Sequence, residues 1–455
     1  MLDLRRQGGG EDTWESLQEV ELGIRAPLGE RWWMTVEGRM TWWMTSGHAG
    51  PDSPRITSPA GWEGRWEPML RDAYVSGRRG SWQWRLGQGQ VSWGSTDFFR
   101  PMDRITARDL RRPLAGGGRE EARIPVPLVE GTWLGRAGSV QLLAVPFFVP
   151  DRVMLFGGDQ APLREGSPLS ERAPVGFLVD AVDPSVEDRV NDAAAATRLP
   201  EETLRNLQAG ARLTSTGLGM DVSLSIFHGF DRQRWLRIAP SLAQLGRVVA
   251  ENGTGFSPAL LGAVGDVQAD LDAGRALLVA EHRRTTTVGL DGVRYVGRVG
   301  VRWETTWSAL QTGSTEALEP VRAPMVASAL GLSSENPERV TWAVEGFHQH
   351  TVGGDGEPWV LSLDALWGVF VGSQWRLGRW RAGGPRRQDV SLRLGGVYLG
   401  PGQDILALPS LVWEREDWSV EAGVGVFASL DEGRETLGDL LAWNDSAWMR
   451  LRRRF

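Results

Sequence analysis

Arg450, Arg452 and Arg454 occupy every second position near the end of the chain, and Arg298, Arg302 and Arg393 recur in stretches with the same alternation. Side chains two positions apart on a strand share a face, so these guanidinium groups could form a basic wall that favours anionic solutes. Glu304, Glu345 and Glu421 stand on the same faces, and the alternative outcome is mutual neutralisation. A second group comprises Asp72, Arg85, Trp93, Asp103 and Asp109, where two strand-like stretches run into a charge-rich segment. Charged pairs there could set the width and field of a constriction, with Trp93 as part of its wall. They could equally be an internal salt-bridge network that plugs and stiffens the interior. Arg71 and Asp72 raise a parity conflict, since both cannot face inward on a regular strand.

Other chemistry has little support. His348 and His350 share a face at a spacing that can bind a metal, but no third ligand accompanies them, and a surface position is expected. The absence of cysteine excludes disulfides, zinc-thiolate sites and thiol nucleophiles. No local signature joins a nucleophile, a histidine and an acid. Gly116–Gly118 lacks the strand–helix context of a phosphate loop and reads as a turn. No cofactor and no catalytic residue is expected.

The elements that carry these residues follow from composition and pattern. In 455 residues, apolar types make up 41% and charged types 24%. The longest apolar runs fall short of the ~18–20 residues a spanning helix needs. Such values suit a soluble globule or a transmembrane β-barrel, where only alternate strand residues meet lipid. The 23 Trp against 3 Tyr favour the barrel, because an indole combines an apolar body with one N–H suited to a membrane interface. All 50 basic residues are Arg, a bias that a GC-rich genome explains. The net charge of −7 argues against a nucleic-acid partner.

Period-two alternation is strict in several stretches. In 418–427, Trp418, Val420, Ala422, Val424 and Val426 oppose Ser419, Glu421, Gly423 and Gly425. Val390, Leu392, Leu394 and Tyr398 oppose Ser391, Arg393 and Gly395, while Val299, Val301, Trp303 and Trp307 oppose Arg298, Gly300, Arg302 and Glu304. One face is apolar, and the other mixes charge with small residues, as a wet or tightly packed lumen would. Strands are expected over 14–26, 31–45, 66–79, 81–93, 122–134, 137–147, 206–216, 218–229, 283–294, 298–309, 336–350, 387–400, 404–414, 416–428 and 446–455, with one more in 358–382. The expected fold is therefore an all-β transmembrane antiparallel barrel of about 16 strands in a single domain.

Residues 148–205 and 230–281 are too long for bare loops and carry helix signals, so they read as helix-containing extracellular loops. Ser257-Pro258 supplies an N-cap and an N1 proline, followed by Leu260, Leu261, Val264, Val267 and Leu271 on one face. Ser185–Asp188 resembles a capping box, and Pro200–Leu207 could form another short helix.

The chain finishes on Ser446–Phe455, where Met449, Leu451 and Phe455 alternate with Arg450, Arg452 and Arg454. A terminal Phe in this setting resembles the signal that barrel-assembly machinery reads. Met1–Gly10 has no apolar core of a secretory signal, so a mature or truncated form is expected.

Residues 70–127 carry Leu70-Arg71-Asp72-Ala73-Tyr74, Arg85-Leu86-Gly87, Val91 with Trp93-Gly94, and Asp103 with Asp109-Leu110-Arg111. With Ile124–Pro127 and Val145–Phe148, they resemble the domain-of-unknown-function 1302 family of proteobacterial outer-membrane barrels. The match departs at Gln88-Gly89 and at Thr106-Ala107. The resemblance implies a barrel and an address in the outer membrane of a Gram-negative bacterium, but no defined activity. The expected partners are the lipid bilayer, the barrel-assembly machinery and, in one reading, other envelope proteins. The expected role is a passive conduit for small hydrophobic or anionic molecules. The alternatives are a non-conducting docking barrel of a cell-envelope complex and, remotely, a barrel enzyme.

Overall fold

A computed structural model describes residues 2–3, 15–45, 56–57, 63–111, 122–152, 199–217, 219–233, 235–252, 257–275, 277–315, 320–334, 340–353, 359, 363–381, 387–400, 402–430 and 446–453. Among the described residues, seventeen antiparallel strands follow one another in chain order, each hydrogen-bonded to the next. They are β1 (Glu15–Gly29), β2 (Trp32–Thr45), β3 (Glu63–Arg79), β4 (Trp82–Gly89), β5 (Val126–Leu134) and β6 (Gly138–Val145). Next come β7 (Gln208–Gly217), β8 (Met220–Phe230), β9 (Arg284–Val296), β10 (Val299–Ser314), β11 (Pro320–Ser334) and β12 (Val340–Thr351). The last are β13 (Ala365–Arg381), β14 (Arg387–Leu399), β15 (Asp404–Ala407 with Ser410–Arg415), β16 (Trp418–Ser429) and β17 (Ser446–Arg453). Leu2–Asp3 pair with the far side of β17.

The two faces of this sheet are inverted relative to a water-soluble protein. Leu22 is 74% exposed and Leu330 58% on the outer surface, while Ser225, Thr287 and Thr306 inside are 1%, 0% and 1% exposed. Alternation is what produces this arrangement. In β8, Val222, Leu224 and Ile226 turn outward, and Ser223, Ser225 and Phe227 turn inward. Leu224 lies beside Leu213 of β7 and Leu290 of β9, so the apolar side chains form a band around the wall. Burying polar groups while exposing leucines is unfavourable in water; with hydrocarbon outside, the same arrangement is favourable. The protein is a transmembrane antiparallel β-barrel. Among the described residues no helix is long and apolar enough to cross a membrane.

Short connections gather at one rim, at 30–31, 80–81, 135–137, 297–298 and 416–417, and long ones such as 90–125, 146–207 and 231–283 at the other. Trp32, Trp82, Trp133 and Trp418 are exposed beside the short turns and form an interfacial girdle. Arg453, on the lipid-facing parity, sits 4.9 Å from the Trp418 ring and is accommodated at that interface.

Several expectations are corrected. Strand β11 is additional to the sixteen expected. The strand expected over 81–93 stops at Gly89, so Val91 and Trp93 leave the wall. The helix with Ser257 as N-cap runs Pro258–Asp272 and packs against Pro240–Asn252, but it buries Leu260, Ala263 and Val267 and leaves Leu261 exposed. The helical turn in 200–207 is only Leu204–Asn206. The capping-box stretch 185–188, Arg454 and Phe455 lie outside the described residues.

The parity conflict at Arg71 and Asp72 is resolved by a β-bulge. Glu37 pairs with Asp72 and Gly38 with Leu70, so Arg71 has no partner across the ladder. An extra residue lets consecutive side chains face the same way. Arg71 reaches Glu21 at 2.7 Å and Glu37 at 3.5 Å inside the barrel, while Asp72 lies near Arg85 over Gly89.

Candidate functional site

After β4 the chain turns into the lumen and stays there through residue 111. Thr106 fastens the start of this segment, since its hydroxyl accepts from the Val91 amide (2.9 Å) and donates to the Val91 carbonyl (2.6 Å). Trp93 is 2% exposed. Its Nε1 donates to Gln141 on β6 at 2.8 Å, and its ring lies edge-on to Phe227 of β8. The ring also fits over Gly210 of β7, where a Cβ would approach it to 2.6 Å. Val91, Met102, Ile105, Val126, Leu128, Leu143 and Val145 complete an apolar core inside this half of the barrel.

The segment then runs on along the wall to β10 and β12, where two buried carboxylates hold it. Glu304 of β10 accepts from the amides of Ser95 (3.2 Å) and Met102 (2.6 Å) and from the Thr96 hydroxyl (2.8 Å). Glu345 of β12 accepts from the consecutive amides of Asp97 (2.8 Å), Phe98 (3.1 Å) and Phe99 (2.5 Å). A carboxylate has acceptor sites enough for such a set, and charge-assisted bonds of this kind are strong. Gly94 is needed beside them. Its φ is +105°, and a Cβ there would collide with the Glu304 carboxylate. In the sequence Glu304 and Glu345 are available to neutralise inward arginines; in the structure both serve as backbone anchors. Their pinning sets Phe98 stacked on Phe370 at 4.6 Å and Phe99 stacked on Phe347 at 4.8 Å.

Ion pairs stiffen the remainder. Asp103 binds Arg108 (2.9 Å) and Arg123 (2.6 Å). Arg111 joins Asp109 (2.7 Å) to Glu67 of β3 (2.8 Å). Burial opposes the charge of Arg111, yet the hydrogen bonds it donates to both carboxylates raise its pKa. Arg85 pairs with Glu130 at 2.7 Å, and Arg302 with Asp97 at 3.3 Å. Arg232, entering from the loop after β8, pairs with Asp151 at 3.2 Å and donates to the carbonyls of Arg104, Ile105 and Val149. Burial raises the Asp231 carboxyl above its ordinary range, against the pull of Arg104 and the amides of Thr312 and Gln233.

The five residues Asp72, Arg85, Trp93, Asp103 and Asp109 therefore sit on or beside one inward-folded segment. The basic series is divided. Arg393 pairs with Glu421 at 3.1 Å, and both line a hollow of about 470 Å³ with Arg450. Arg302 belongs to the segment's anchorage. Arg298 is exposed on the turn between β9 and β10, away from any lumen wall. Arg452 is exposed at the short-turn rim. His348 and His350 belong to the outward face, with ring centroids 4.9 Å apart, and no metal-binding cluster occurs among the described residues.

The sequence reading missed Phe98, Phe99, Arg123, Asp231, Arg232 and Trp448. One signal was available for the anchored stretch. Gly94-Ser95-Thr96 directly after a large aromatic is a run of small residues that lets backbone approach a wall closely.

No family model matches the chain, and no curated protein matches it. Solved structures do match. The chain is similar to the outer membrane channel DcaP of Acinetobacter baumannii, with 11% identity over 84% of this chain and 79% of that one, at a TM-score of 0.37. It is also similar to OmpF of Salmonella typhi, solved in complex with daunomycin, with 7% identity over 85% of each chain and a TM-score of 0.38. A third is Wzi of Escherichia coli, a carbohydrate-binding β-barrel involved in group 1 capsule assembly, with 11% identity over 92% of this chain and 80% of that one, at a TM-score of 0.38.

Proposed function

We propose that this protein is a passive channel in the outer membrane of a Gram-negative bacterium, carrying small solutes along one side of its lumen. The observation that carries this reading is the asymmetry of the interior. The inward segment fills the lumen beside β5 to β8 around Trp93 and is pinned at residues 95–102 to Glu304 of β10 and Glu345 of β12, while a hollow of about 470 Å³ runs along the inner faces of β12 to β17. A pinned segment narrows a barrel without filling it, and rigid narrowing of this kind sets a size limit by geometry rather than by gating. The barrel-assembly machinery would be its partner during insertion. The resemblance of residues 70–127 to the domain-of-unknown-function 1302 family agrees with this address.

Liposome swelling tests the reading. Vesicles containing the refolded protein are expected to swell quickly in a pentose and progressively more slowly in a disaccharide and a trisaccharide. Swelling no faster than in protein-free vesicles would overturn the channel and favour a docking barrel instead.

A further inference from the structure

We infer that the hollow beside β12–β17 is a binding site for a small aromatic carboxylate. This rests on the channel reading only for access, because a solute must enter the lumen to reach it.

The cationic end comes from Arg393. Its Nε donates to Gln374 at 3.3 Å and its Nη1 to Glu421 at 3.1 Å. Its Nη2 has no protein acceptor among the described residues, and the side chain remains 40% exposed toward the hollow. Glu421 is further occupied by the Ser410 hydroxyl at 3.0 Å. Arg450 also lines the hollow and stands opposite Glu421 across the β16–β17 ladder. The Nη2 of Arg393 is thus the donor left for a ligand acid. A guanidinium edge is shaped for the two oxygens of a carboxylate.

The flat sides are aromatic. Trp448 lies against Gly423 on the neighbouring strand, where a Cβ would come within 2.8 Å of its ring. Its Nε1 is buried with no acceptor among the described residues. A buried donor without a partner is unfavourable, and a ligand oxygen beside the ring would relieve it. Phe370 lines the same hollow while stacking on Phe98, so approach from the long-loop rim passes an apolar lip that also includes Phe99, Phe347 and Val397. Donors outnumber acceptors among the polar lining groups, which disfavours a neutral sugar. The volume falls within the range of small-molecule sites and accommodates one or two fused rings bearing an acid.

Calorimetric titration of the detergent-solubilised full chain with 2-naphthoate is the direct test. 2-Naphthoate is expected to bind, and both 2-naphthamide and acetate at least about tenfold more weakly, as loss of a charge-assisted hydrogen bond or of ring contact implies. Arg393→Gln and Trp448→Leu should each weaken naphthoate by a similar factor, with folding checked by the gel mobility of unheated protein. Equal affinity for the acid and the amide on the unmodified protein overturns the inference without recourse to any variant. Failures of the two readings are separable. Solute-dependent swelling without naphthoate binding removes this site and leaves the channel, whereas binding without swelling retains the site and removes the channel.

Discussion

Alanine at both Glu304 and Glu345 is expected to raise single-channel conductance several-fold and to broaden the distribution of current levels. Each carboxylate accepts three donors from residues 95–102, five of the six being backbone amides. With the acceptors gone, every amide still held against the wall would be left unsatisfied at roughly 1–3 kcal/mol each. Water in the lumen can satisfy the same groups if the segment moves away. Swinging free therefore wins over staying in place, and the lumen widens. Gln at both positions keeps one neutral acceptor oxygen each, so a smaller increase is expected. Planar-bilayer recording of the refolded variants reads both effects. Conductance equal to that of the parent would mean that the segment is not what limits flow.

Leu224→Arg is expected to destabilise the barrel by about 2–4 kcal/mol, the cost of a guanidinium near the middle of a bilayer. The position makes the test sharp. Leu224 is 51% exposed, and its lateral neighbours Leu213 and Leu290 are exposed with it. If water surrounded this face, replacing an exposed leucine by arginine would change stability within about ±0.5 kcal/mol. Urea unfolding of the protein in lipid vesicles distinguishes the two outcomes. The adjacent inward residue Ser223 is buried, so neighbouring positions on one strand sample entirely different surroundings.

The barrel was legible because period two survives wherever one face meets lipid and the other meets polar groups, as in β8, β10, β14 and β16. Strand β11 escaped notice for a physical reason. Its inward residues Ala323, Met325, Ala327 and Ala329 are apolar too, so contrast between the faces disappears, and Pro320 and Pro324 read as strand breakers. The residues of the inward segment could be singled out by their charge, but their partners could not. Asp103 finds Arg108 five positions away and Arg123 twenty away. Glu304 meets residues about two hundred positions earlier in the chain. Such contacts follow from closure of the wall around the segment, which local pattern does not encode. Arg302, Glu304, Arg393 and Glu421 all face inward, but inward-facing charge has several uses. Glu421 neutralises an arginine, while Glu304 holds backbone.

Water accessibility of single cysteines tests the half-packed lumen most directly, and the chain has no native cysteine to confuse the assay. Positions Thr341 and Gln374 line the hollow, whereas Ser225, Thr287 and Ala327 are also inward but lie on the packed side. In vesicles, a charged water-soluble thiol reagent is expected to modify cysteine at 341 and 374 quickly and at 225, 287 and 327 hardly at all. Equal reactivity on both sides, or none at any of the five, would contradict a lumen that is plugged along one wall and open along the other.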